Sequence, residues 1–152
     1  MKRFVLWLFV SLGVLMIPPL ALASDASLKG ALKPYEGRLT TDIGYLSSFS
    51  APSKSAAAAA LSKLSKVRGD LFGATRAASH QQASSSSGRK GRTLVLSALA
   101  DATVAAGDAR ASAIAARSGN RSAAKRYGRE EQSGINKAIP LFESGSKLLH
   151  LF

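Results

Sequence analysis

RTLVLSALADATVAAGDARASAIAARSGN, from Arg92 to Asn120, sets Leu94, Val95, Leu96, Leu99, Val104 and Ile114 among alanines on nearly every side. A helix that is apolar around most of its circumference belongs in the middle of a protein, because it has no polar face to offer water. The stretch predicts a helix over 92–118, with Gly107-Asp108 as a candidate break. Gly119 can close that helix in the left-handed conformation and Asn120 can cap the next one. The turn then spans very few residues, and the following helix returns antiparallel.

The flanking segments have the periodicity of partners for such a helix. Leu28, Leu32, Tyr35, Leu39, Ile43, Leu46 and Phe49 recur at steps of three and four, predicting a helix over 28–49 that begins at Pro34 or bends there. Gly30, Gly37 and Gly44 repeat every seventh residue along it, which close approach of a neighbouring helix would rationalise. Ser50-Ala51-Pro52 interrupts the pattern, and Pro52 suits a first helical turn. A second helix is expected over 52–80, with Ala57, Leu61, Leu64 and Leu71 inward. QQASSSSGRKG, residues 81–91, reads as a flexible loop whose serines and glycines bury nothing. Beyond it and the central helix, a fourth helix is expected over 120–149. Its apolar seam is Ala124, Tyr127, Ile135, Ala138, Phe142 and Leu148, with a kink or interruption at Pro140. No period-two run flanks a hairpin turn, so the expected fold is all-α: an up-and-down antiparallel four-helix bundle forming one domain over 24–152.

The chain opens MKRFVLWLFVSLGVLMIPPLALAS: two basic residues, an apolar run, Pro18-Pro19 and the triplet Ala21-Leu22-Ala23. This predicts a signal peptide over 1–23, cut after Ala23, and a secreted, periplasmic or otherwise extracytoplasmic protein. Phe4 to Ala23 is also about long enough to span a bilayer, but the prolines and the A-x-A site favour cleavage over a retained anchor. The cut leaves 129 of the 152 residues, with 19 basic and 9 acidic side chains, a net charge of +10. Such a field attracts anionic partners and also keeps a protein soluble.

Cysteine is absent, which excludes disulfides, thiol catalysis and lipid attachment at a cysteine. His80 and His150 are the only histidines and have no partner at metal-ligand spacing. They read as helix-end residues, and neither metal nor cofactor is expected. No serine stands in G-x-S-x-G. The S-x-x-K spacings at Ser87, Ser122 and Ser144 lack the companion motifs that would make them catalytic, so the protein reads as non-enzymatic.

The carboxylates sort by local partner. Asp25, Glu36, Asp42, Asp70, Glu130 and Glu143 each have a Lys or Arg three or four residues away, the spacing of surface ion pairs. Asp101, Asp108 and Glu131 do not. Glu131 falls on the apolar seam, where a carboxylate must be paired, hydrogen-bonded or protonated. The preferred reading is an interhelical ion pair with Arg110 or an arginine of the second helix. The rival is a small polar site of Glu131, Asp101 and Asp108 with Tyr127 or a tyrosine of the first helix.

Arg117, Arg121, Lys125 and Arg129 follow one another every fourth residue across the final turn. Like charges at that spacing repel, and basic groups at a helix N-terminus oppose its dipole. Arg89, Lys90 and Arg92 cluster at the other end of the central helix. Together they are candidate anion-binding residues, and the expected function is association with an anionic envelope polymer or membrane surface. The alternatives are a protein-interaction module using the apolar Leu148-Leu149-His150-Leu151-Phe152, and a small-ligand carrier or enzyme around Glu131. Nucleic acid ranks last as a partner, because no aromatic stacking platforms interleave the basic residues.

Overall fold

The computed structural model describes residues 24–151, all helices and turns, with no strand among them. The expected signal peptide, residues 1–23, and Phe152 lie outside the described residues. Helix α1 (Asp25–Leu32) starts on Ser24, whose hydroxyl accepts the Ser27 N–H at 3.0 Å. Pro34 cannot donate a helical hydrogen bond and restricts Lys33, and a 3-10 turn, Lys33–Tyr35, joins α1 to α2 (Glu36–Ser47). Helix α3 covers Ala57–Ser79. It begins five residues later than expected: Ala56 N–H bonds Ser53 O at 3.1 Å and Ser53 Oγ at 3.3 Å, holding a turn after Pro52 instead of a first helical turn.

Helix α4 (Ser86–Arg117) corrects the expected loop most sharply, for Ser86–Gly91 is helical. Ser85 caps it by accepting the Gly88 N–H at 2.8 Å. Asp25 of α1 accepts the N–H of Ser84 at 3.0 Å and of Ser85 at 3.3 Å, together with the Ser85 hydroxyl. A low-complexity run therefore acquires an N-terminus from a residue some sixty positions away. Gly107-Asp108 does not break α4. Helix α5 (Arg121–Leu149) likewise continues through Pro140. The carbonyl that Pro140 leaves unpaired belongs to Asn136; both residues are exposed, so water can satisfy it.

Both ends of the α4–α5 unit close alike. Gly119 at φ 81° sits past α4, and Asn120 N–H reaches Ala115 O at 2.8 Å. His150 at φ 51° sits past α5, and Leu151 N–H reaches Ser146 O at 3.0 Å. Asn120 accepts the Ala123 N–H at 3.0 Å as the cap of α5. The second closure folds Leu149 and Leu151, two residues of the alternative docking segment, into the chain's own core.

Helices α4 and α5 run antiparallel at very short range. A Cβ on Gly145 would come within 2.9 Å of Val95 N, one on Gly134 within 3.1 Å of Ala105 Cβ, and the Ser112 hydroxyl donates to Ala124 O at 2.7 Å. Helix α3 is tied to α4 by Arg92, and to the first arm, the α1–α2 segment over residues 25–47, by Tyr35 over Gly73 and by Arg38–Asp70 at 3.2 Å. The close-packed glycines are thus Gly73, Gly88, Gly91, Gly134 and Gly145. Gly30, Gly37 and Gly44, expected at a tight contact, have no atom within 4 Å of a built Cβ. Leu28, Leu46, Leu64, Leu71, Leu99 and Ile135 fill the core around the alanines of α4. Two residues read as core are not: Val104 is 63 % and Ile114 45 % exposed, as is Phe72 of α3 at 67 %.

Of the six expected local ion pairs, Arg126–Glu130 forms, at 3.8 Å. Asp70 turns to Arg38 across helices, Asp25 goes to the α4 cap, and Asp42 is buried with Oδ2 unbonded.

Candidate functional site

At one end of the molecule, the tight turn Ser118–Asn120 brings the close of α4 beside the start of α5. Arg117, Arg121, Lys125 and Arg129 are all exposed there, and among the described residues none has a carboxylate within ion-pair distance. Arg121 and Lys125 line a groove of about 680 Å³ together with Lys54 and the apolar floor of Ala51, Pro52, Ala116 and Ala124. Arg117 and Arg129 flank it without lining it. The positive end of the α5 dipole points the same way. Lys54 escaped the sequence reading because it lies in an irregular linker, where no periodicity assigns a residue to a face.

The second basic cluster is partly consumed by the fold. Arg92 donates from Nε to Ala78 O at 3.3 Å and from Nη2 to Ser79 O at 2.9 Å, capping the last carbonyls of α3. Arg89 donates to Ser84 O at 2.5 Å. Lys90 is exposed. The two basic clusters stand at opposite ends of α4, about 40 Å apart at about 1.5 Å per residue, too far for one small ligand.

Glu131 is fully buried, and both its carboxylate oxygens lack a hydrogen-bond partner. The expected ion pair does not form, and Arg110 is exposed. Desolvation, and secondarily the charge of Asp108, pushes the Glu131 pKa up to about 7. Asp108 is itself raised by burial and by Glu130. Burial and then the charge of Glu131 raise Tyr45 of α2, whose ring also carries Lys63 Nζ at 3.9 Å from its centroid. The polar group is therefore Glu131, Asp108 and Tyr45. Asp101 lies two turns along α4 from Asp108, and Tyr127 stacks under Arg126 at 4.7 Å beside a cluster of alanines. Such a site can hold a proton to near neutral pH. Among the described residues, no three His, Asp or Glu side chains converge as metal ligands do.

Compared with known proteins, the chain matches no family model, no curated protein and no solved structure. The functional reading rests on its own residues.

Proposed function

We propose that this is an exported, non-enzymatic protein, an up-and-down antiparallel four-helix bundle with α1 and α2 as one arm, that associates with anionic components of the cell envelope. The observation that carries this reading is the exposed, unpaired series Arg117, Arg121, Lys125 and Arg129 beside the groove that Lys54 shares. Four cations that neither pair with the fold's own carboxylates nor pack against its core are free for an external anion. The +10 charge expected after export supports the same partner class. Export is supported by the apolar leader and by Ser24, the residue a cut after Ala23 would make first, which is already the cap of α1. No described helix is long and apolar enough to cross a membrane, so association with a surface is proposed rather than a span.

The test replaces Arg121, Lys125 and Arg129 together by glutamine. Binding to a soluble polyanion such as polyphosphate should weaken most at low salt, because exposed charges are screened beyond about 10 Å at 0.1 M. Thermal stability should hold or rise slightly, since the change removes repulsion and an adverse dipole interaction. Unchanged binding at low ionic strength would assign the stripe to solubility and end the proposal.

A further inference from the structure

Among the described residues, the three exposed large apolar side chains, Phe72, Val104 and Ile114, lie on α3 and α4. Helix α3 turns Asp70 and Gly73 toward the first arm. On its opposite shoulder, next to α4, Arg68, Phe72 and Arg76 stand four residues apart in a line, all exposed. The Arg92 bonds to Ala78 and Ser79 set the register and bring Phe72 level with the stretch of α4 around Ala98 to Ala100. On α4, Ser112 and Ala105 face α5; Ile114 lies on the opposite side and Val104 about a quarter turn from it, both exposed. Arg110 and Arg117, on the flank toward α3, are exposed and unpaired. Asp101 and Asp108, three before and four after Val104, border it on the other flank and are half-buried, whereas Arg110 and Arg117, four before and three after Ile114, border that residue.

We infer that this α3–α4 face is a docking surface for an anionic lipid bilayer. Phe72, Val104 and Ile114 enter the headgroup boundary while Arg68, Arg76, Arg110 and Arg117 meet lipid phosphates. The inference rests on the anionic-envelope reading and names its partner. An apolar helix face edged with arginine matches a bilayer interface, which offers acyl chains and negative charge together. A soluble polyanion would leave Phe72 and Val104 in water. A second copy is disfavoured by charge: each copy carries the same strong net positive charge, and a two-fold contact would bring the same arginine-rich face against itself.

The test compares partitioning onto vesicles of equal phosphatidylglycerol and phosphatidylcholine with pure phosphatidylcholine and with polyphosphate. Phe72→Ser with Val104→Ser leaves the charge unchanged and alters only exposed positions, and circular dichroism checks the fold. The double variant should bind anionic vesicles about tenfold more weakly and polyphosphate unchanged. Because the chain has no cysteine, Phe72→Cys can carry a single environment-sensitive fluorophore, which should shift to the blue on anionic vesicles, whereas a label at exposed Ser133→Cys on α5 should not. Equal vesicle binding by the double variant, or polyphosphate binding without vesicle binding, overturns the lipid face and leaves the anionic reading standing. A dimer in sedimentation that the double variant abolishes, without vesicle binding, assigns the face to self-association and also overturns the inference. Failure to bind either anion sinks both readings.

Discussion

Glu131 makes stability fall as pH rises, opposite to what a salt-bridged carboxylate does. Its pKa in the folded protein is about 7, against an ordinary value of 4.5. The folded state therefore holds the proton more tightly than the unfolded chain. Its contribution is fully present below about pH 4.5, declines between there and about pH 7, and is level above. A gap of about two and a half pH units at about 1.4 kcal/mol each amounts to about 3 kcal/mol, or about 10 °C in Tm for a domain of this size. Asp42 and Asp108, also raised, add in the same direction, and Asp25, lowered, opposes them at acid pH. The contribution of Glu131 alone is isolated by difference. Urea unfolding of the wild type and of Glu131→Gln at pH 4.5, 6 and 8 should give a stability difference that moves by about 3 kcal/mol in favour of the variant across that range. The offset at the acid end depends on how the buried amide is accommodated, so Glu131→Met serves as a second neutral replacement and should show the same slope. Parallel pH profiles for the wild type and both variants would mean that Glu131 finds a partner or water when ionised, and the desolvation argument would be wrong.

Gly145→Ala should destabilise by about 1 to 3 kcal/mol in thermal or urea unfolding, because its methyl meets Val95 N at 2.9 Å and Gly91 O at 3.0 Å on the backbone of α4. Gly44→Ala, with no atom within 4 Å, should instead stabilise by about 0.5 to 1 kcal/mol, and a loss there would show that the outer face of α2 is covered in solution. Asp25→Ala should lower Tm at neutral pH by removing the acceptor of the Ser84 and Ser85 groups; since its folded pKa is lowered, that deficit should shrink as the pH falls below the ordinary carboxylate range, and a deficit independent of pH would refute the charged cap. Gly119→Ala should cost about 1 kcal/mol, since φ 81° strains any residue with a Cβ, and a neutral result would show that the α4–α5 turn relaxes freely.

Features governed by near neighbours were legible in the chain. The steps of three and four, the prolines, and the Gly119-Asn120 junction act within a few residues, and they specified an all-helical protein with an alanine-rich central helix and a tight final turn. The exposure of Arg117, Arg121, Lys125 and Arg129 was readable for the same reason, because charge at a four-residue step belongs on a solvated face. The rest depended on residues brought together from far apart. Ser86–Gly91 became helix because Asp25 completes its N-terminus and because glycine lets Leu149 lie against Gly91; composition alone records the serines and says nothing of either partner. Which glycines are close-packed, and whether Val104 and Ile114 face core or solvent, followed from which side of each helix its neighbours occupy. A helix apolar all round leaves that undecided. Glu131 shows the division at a single residue. Its place on an apolar seam was plain from spacing, whereas the absence of any bonding partner and the nearness of Asp108 and Tyr45 came from packing three helices together. A charge's free energy depends on its surroundings in space, which the order of residues along the chain does not specify.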